Sequence, residues 1–195
     1  MPKYEYETRE AWLNAGVDAL RAHFEHNGYP VPTVVRVSVG WPRAARKAIG
    51  QCWKRSAAKD GVSQLFISPA LGSGIDALDT LAHELVHAAI DPFSGHNGKF
   101  ITASRAVGLT NGKPTCAGAG LELRAQLEKI AAQLGEYPHA ALLPIDEVKQ
   151  TTRLLKVACR DCGYTARVTR KWLDDSGAPL CPCNSKPMRE SKGQR

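Results

Sequence analysis

Apolar residues recur every fourth position between Thr8 and Asn27, at Trp12, Gly16, Leu20 and Phe24. That spacing predicts a helix lying over a sheet and stopping at Asn27-Gly28. The period then shortens. Pro32 to Val39 alternates and is β-branched, which predicts a strand closed by Gly40, Trp41 and Pro42, and Val62 to Ile67 predicts another. From Ser73 to Asp91 the helical period returns: Leu78, Leu81 with Ala82, Leu85 and Ala89 form an apolar stripe, and Asp76 follows Ser73 at capping-box spacing. Lys99 to Val107 reads as a short amphipathic helix ending at Gly108, followed by the glycine-rich loop TNGKPTCAGAG. A further helix runs from Leu121 to Leu134 on Leu123, Leu127, Ile130 and Leu134. Pro138 to Pro144 breaks all periodicity, and short strands (LLKVA, YTARVTR) resume after Thr152. The pattern predicts an α+β chain with a domain over 1–138, a linker over 139–151 and a small domain over 152–195.

The polar face of the Ser73–Asp91 helix carries the chemistry. Residues 83–87 read HELVH, and residues four apart in a helix lie one above the other, so His83 and His87 present their imidazoles side by side with Glu84 on the flank. By this chain's own composition, such a match arises by chance with a probability of only about 0.01. Two imidazoles suit zinc, and a catalytic zinc takes three protein ligands and leaves a fourth position open. His96 is the first candidate for the third ligand, because Pro92 and Gly95 let the chain turn back; Asp91, four residues beyond His87 but beside Pro92, is the second. Zinc on His83, His87 and His96 would bring the pKa of a water down to about 7, with Glu84 as general base.

The run HELVHAAIDPFSGHNGKFITASRAVGL resembles the SprT-like zinc metalloproteases, which carry HExxH on one helix and a third His in a Gly-His-Gly-like turn leading into the next. Metzincins would need Gly at Ile90 and His at Phe93. VRVSVGWP, IGQCW and VSQLFISPAL resemble the short sheet ahead of the family's metal helix, and CRDCGYTARVTRKWL with CPC resembles the zinc ribbon of its phage and bacterial members. The resemblance implies a zincin-like helical core, peptide-bond hydrolysis, and substrates that are proteins bound or crosslinked to DNA. By analogy with other zincins, an edge strand above the metal helix, here placed near Val62 to Ile67, would hold the substrate backbone extended.

Cysteine and charge extend this picture. Four of the six cysteines, Cys159, Cys162, Cys181 and Cys183, follow the order C-x2-C-x18-C-x-C, close to a zinc-ribbon spacing, so a second, structural zinc is expected. Only Pro182 separates the last pair, where the family has two residues. Cys52 and Cys116 read as small apolar side chains. Residues 1–75, 76–148 and 149–195 carry 10, 5 and 11 Lys and Arg against 6, 9 and 4 Asp and Glu, giving +4, −4 and +7. Basic flanks suit a polyanion. The candidate contacts are Arg43, Arg46, Lys47, Lys54 and Arg55, interleaved with Trp41 and Trp53, and Arg167, Arg170 and Lys171 beside Trp172, with single-stranded DNA favoured over duplex. Trp41 and Trp53 by themselves read as core residues, and Trp172 as either a core residue or an exposed platform. The charged start MPKYEYETRE lacks a signal core, and no run spans a bilayer, which predicts a cytoplasmic or nucleoid-associated protein and no membrane partner. Two other classes stay open: a non-proteolytic nucleic-acid-binding zinc protein, and a zinc hydrolase acting on other bonds.

Overall fold

A computed structural model describes residues 5–42, 48–92, 95–143 and 154–191 of the 195-residue chain. The fold is mixed α+β, with five α-helices and two small sheets among these residues. It divides into two compact units, Met1–Pro144 and Ile145–Arg195.

In the first unit, α1 (Arg9–His26) begins where Thr8 accepts from the N–H of Ala11 and ends at Asn27. Its buried stripe of Trp12, Leu13, Gly16, Val17, Leu20 and Phe24 packs against β1 (Val35–Val39) and α2 (Gly74–Ala89). Gly16 has a packing reason, since a Cβ there would come 2.8 Å from Leu78 of α2. The sheet contains β1, β2 (Gly50–Trp53) and β3 (Ser63–Ile67) in the order β1-β3-β2, with β1 parallel and β2 antiparallel to β3. The 62–67 segment, expected at an edge, is thus the central strand and is bonded on both sides. The outer strands are β1 and β2, and β2 lies against α2. Two central-strand side chains, Leu65 and Ile67, are fully buried, as alternation requires.

Helix α2 starts as its sequence dictates: the Ser73 side chain accepts from the Asp76 N–H at 3.4 Å. Ten of its sixteen residues are buried, so one face packs into the core and the other is roofed by β2 and by α3 (Gly98–Ala106). Asn97 caps α3 by accepting from the N–H groups of Lys99 and Phe100. Helix α4 (Leu121–Leu134) closes the unit on Leu123, Leu127, Ile130 and Leu134. Residues 138–142 are held to this unit: buried Arg9 donates to the carbonyls of Pro138 at 2.8 Å, Pro69 at 2.9 Å and His139 at 3.1 Å, and the Leu142 N–H donates to Pro69.

The second unit is a three-stranded antiparallel sheet with β4 (Leu155–Ala158) between β5 (Thr165–Val168) and β6 (Arg189–Glu190). The expected strand YTARVTR is shorter than its pattern, because Thr169 caps a one-and-a-half-turn helix, α5 (Arg170–Asp175), by accepting from the Trp172 N–H. Among the described residues its buried core is Val157, Cys159, Cys181 and Met188. No helix among the described residues is long and apolar enough to cross a membrane.

Candidate metal centres

Helical spacing puts His83 and His87 on one face of α2, and the turn ahead of α3 brings His96 to them. Their Nε2 atoms converge: His83 to His96 is 3.1 Å and His87 to His96 is 3.3 Å. Nitrogens at zinc-like bond lengths around one tetrahedral ion sit about 3.4 Å apart. The donor set is also prepared electronically. The Nδ1 of His83 lies 3.0 Å from the carbonyl of Ala117, which can only accept, so Nδ1 carries the proton and Nε2 keeps its lone pair toward the other two rings. Burial lowers the pKa of all three imidazoles, that of His87 to about 3 with help from its histidine neighbours, and so favours the neutral form that ligates metals. Phe100 of α3 wedges between the rings, stacked on His87 at 4.3 Å and within 4.9 Å of the other two.

Glu84 lines the same cleft of about 500 Å³. It is 5% exposed, and burial pushes its carboxyl up to about 8, while the Cys52 N–H of β2 pulls the other way. Strand β2 approaches because residue 50 is glycine: a Cβ there would come 2.7 Å from Thr80 and 2.9 Å from Glu84. The opposite wall is the glycine-rich loop. Asp79, one turn before His83, accepts from the Ala119 N–H at 2.8 Å and so holds the strip that carries the Ala117 carbonyl. Neither Asp79 nor the Ala117 carbonyl was legible in the sequence, although the loop's glycines marked the place: a Cβ at Gly118 would come 3.1 Å from Asp79. Asp91, the second candidate ligand, lies beyond the end of α2 and accepts from Arg55 at 2.9 Å. It stands outside the three-histidine group.

The four cysteines of the second unit also converge. Sγ separations are 3.8 Å for Cys159–Cys183, 3.5 Å for Cys162–Cys181 and 3.4 Å for Cys181–Cys183, and none of the four is in a disulfide. Sulfurs around one tetrahedral zinc sit about 3.8 Å apart. Cys183 belongs to the group despite the single-residue spacing. The thiol of Cys159 is held down to about 6, first by the Cys162 N–H and next by the Asp161 N–H, whereas its sulfur neighbours Cys162 and Cys181 push Cys183 up. Four sulfurs this close cannot all be thiolates without a cation among them.

The remaining sequence candidates are dispersed. Arg43, Arg46 and Lys47 lie outside the described residues, Lys54 lines the histidine cleft, and Arg55 is paired with Asp91. Arg170 is paired with Glu190 at 2.8 Å and Asp174 at 3.6 Å. Trp172 is 58% exposed with the Lys171 ammonium 5.1 Å from its ring centroid, so it is not a core residue. Trp41, read as core, is 44% exposed because it lies past the end of β1; Trp53 is half-buried. Cys52 is half-buried and Cys116 exposed, both lining the histidine cleft. Compared with known proteins, the chain matches no family model, no curated protein and no solved structure.

Proposed function

We propose that the first unit is a zinc-dependent endopeptidase with a zincin-like core, that the second is a zinc ribbon, and that the substrates are proteins associated with DNA. One observation carries the reading: three imidazole nitrogens meet within a single cleft that also holds a buried carboxylate from the residue between two of those histidines in the HExxH run. The donor set fits zinc, because three neutral imidazoles leave a tetrahedral ion one open position, whereas the four-thiol group would close around its ion. Bound at the histidines, zinc would supply Lewis acidity toward a carbonyl oxygen and acidify a water.

The chain's own residues do the rest. Ala117 fixes the tautomer of His83, and the Cys52 N–H fixes the carboxylate of Glu84. Glu84 takes a proton from the attacking water and returns it to the leaving amine nitrogen. Strand β2 is an outer strand of the sheet and lines the cleft with Gly50 and Cys52, a position that suits an extended peptide laid alongside it.

The test is cleavage of a DNA-binding protein, with and without DNA, by wild type and by Glu84→Gln. The variant keeps its metal and fold and loses about 10²–10⁴-fold in rate, since Gln fills the space but accepts no proton. Equal rates would remove Glu84 as the base. No cleavage by either protein would favour the non-proteolytic, nucleic-acid-binding reading, which the +7 of residues 149–195 supports.

A further inference from the structure

The strand register of the second unit gathers three cations on one side of its sheet. Val157 is fully buried, and its cross-strand partner Ala166 and neighbour Val168 pack on the same core side. Pleating therefore turns Lys156 and Ala158 of β4 outward, together with their partners Arg167 and Thr165 on β5. On the other side of β4, Arg189 pairs with Ala158 and so shares the outward face, while Glu190 pairs with Val157 and falls on the core side, where it meets Arg170. The outward face thus carries Lys156, Arg167 and Arg189, one on each strand, separated by the small side chains of Ala158 and Thr165. No strand residue on it is acidic, and among the described residues none of the three cations has an ion-pair partner, in contrast to Arg170 and Lys186.

Lys156 and Arg167 stand directly opposite each other. Like charges at that position destabilise a two-strand ladder, and an anion across the face reverses the sign. We propose that this outward face binds the phosphodiester backbone of nucleic acid, through Lys156, Arg167 and Arg189, a proposal that rests on the reading of the protein as one that works on DNA-bound substrates. It keeps only Arg167 from the grouping of Arg167, Arg170, Lys171 and Trp172 suggested by the sequence, since Arg170 is neutralised by two carboxylates and lies away from the face. No aromatic ring is among the strand residues of this face, so the contacts are to phosphates rather than bases.

The test is fluorescence anisotropy of labelled single- and double-stranded 20-mers with the zinc-loaded full-length protein. Wild type is compared with Lys156→Ala/Arg167→Ala/Arg189→Ala, with the charge-keeping Lys156→Arg/Arg167→Lys/Arg189→Lys, and with Arg170→Ala. Three phosphate contacts contribute a salt slope of about −2.1 on single strands and −2.7 on duplex. The triple-alanine variant loses that slope, so between 50 and 200 mM salt wild type weakens about 20- to 40-fold more than the variant does. The charge-keeping variant and Arg170→Ala retain the slope, and zinc content and far-UV circular dichroism show each variant folded. An unchanged slope in the triple-alanine protein overturns the proposal, as does an equal loss in Arg170→Ala. Competition by polyglutamate as effective as by oligonucleotide also overturns it, in favour of an acidic protein partner. Glu84→Gln binds like wild type, so a failure here leaves the peptidase reading standing, and a failure of cleavage leaves this face standing.

Discussion

Gly50→Ala tests whether β2 and the metal helix are packed as tightly as the candidate site needs. The backbone at Gly50 does not lie in the left-handed region, so an added methyl brings no conformational strain of its own, and its effect is spatial. That methyl would stand 2.7 Å from Thr80 Cγ2 and 2.9 Å from Glu84 Cγ, with the Glu84 carboxylate nearer still. Unstrained carbon contacts begin at about 3.5 Å, so β2 or Glu84 must give way by roughly 0.6–0.8 Å. Thr80 and Glu84 are 6% and 5% exposed, and Thr80 is further tied to the Asp76 carbonyl at 2.8 Å, which leaves little room on that side. Overpacking of this kind costs about 1–3 kcal/mol. Retreat of the strand also pulls the Cys52 N–H from Glu84, and a displacement approaching 1 Å at a reacting group is worth about 10²-fold in rate. The measurements are urea denaturation, metal content and cleavage of a DNA-binding protein. The expected result is a lower midpoint, unchanged histidine-site metal, and cleavage slowed by one to two orders of magnitude, because the imidazoles are not touched. Gly98→Ala serves as the control: nothing lies within 4 Å of a Cβ there, and it opens α3, so stability should hold or rise by about 0.4–1 kcal/mol. A Gly50→Ala protein with wild-type midpoint and rate would show that β2 does not rest on Glu84.

Asp79→Ala frees the Ala119 N–H and loosens the loop that orients His83, so affinity at the histidine site should fall about 10- to 100-fold by competition with a chromophoric chelator, while Asp79→Asn, which still accepts, keeps most of it. Arg9→Ala strands buried carbonyls that now share one guanidinium and should cost about 1–3 kcal/mol or more in urea; Arg9→Lys should recover only part, because an ammonium cannot reproduce the planar fork. Graded chelation should remove histidine-site metal first with little change in helicity, then thiol-site metal with loss of the second unit's dispersed amide signals by NMR. Release in the opposite order would show the histidine site to be the closed one.

Much of the fold was legible because the periods are long and the stops are chemical. Ser73 and Asp76 open α2 where the capping pattern marks it, and Leu121–Leu134 is a helix with the bounds its leucine spacing gives. The convergence of His83, His87 and His96 was legible for the same reason, a four-residue helical step followed by a glycine turn. Besides Asp79 and the Ala117 carbonyl, three features were hidden, each for a tertiary reason. Strand order is non-local, so nothing in 62–67 says that β1 and β2 would flank it on both sides. Arg9 reads as a polar helix start, yet its burial depends on carbonyls about 60 and 130 residues away. The charges of Arg55 and Arg170 looked available until the fold brought Asp91 and Glu190 against them.

The two donor groups differ in what surrounds them, and the difference is the one the proposed function expects of them. The thiol group sits in a unit whose buried hydrophobic residues, among those described, are Val157, Cys159, Cys181 and Met188, so two of these four are themselves candidate ligands. So small an apolar core cannot offset the entropy of ordering some forty residues at about 1–2 kcal/mol each, so metal bound by the four thiols would be inseparable from folding. The histidine group sits in a unit with a core of 27 buried residues among those described, large enough to hold α2 by apolar packing. Its histidines are nonetheless held by a carbonyl, an aromatic wedge and a carboxylate-anchored loop, and the carboxyl of Glu84 is buried beside them at an electrostatic cost that packing does not require. On the proposed function, holding three lone pairs and a carboxyl together in an open cleft is what a catalytic metal site requires, and that requirement accounts for the electrostatic cost of burying them.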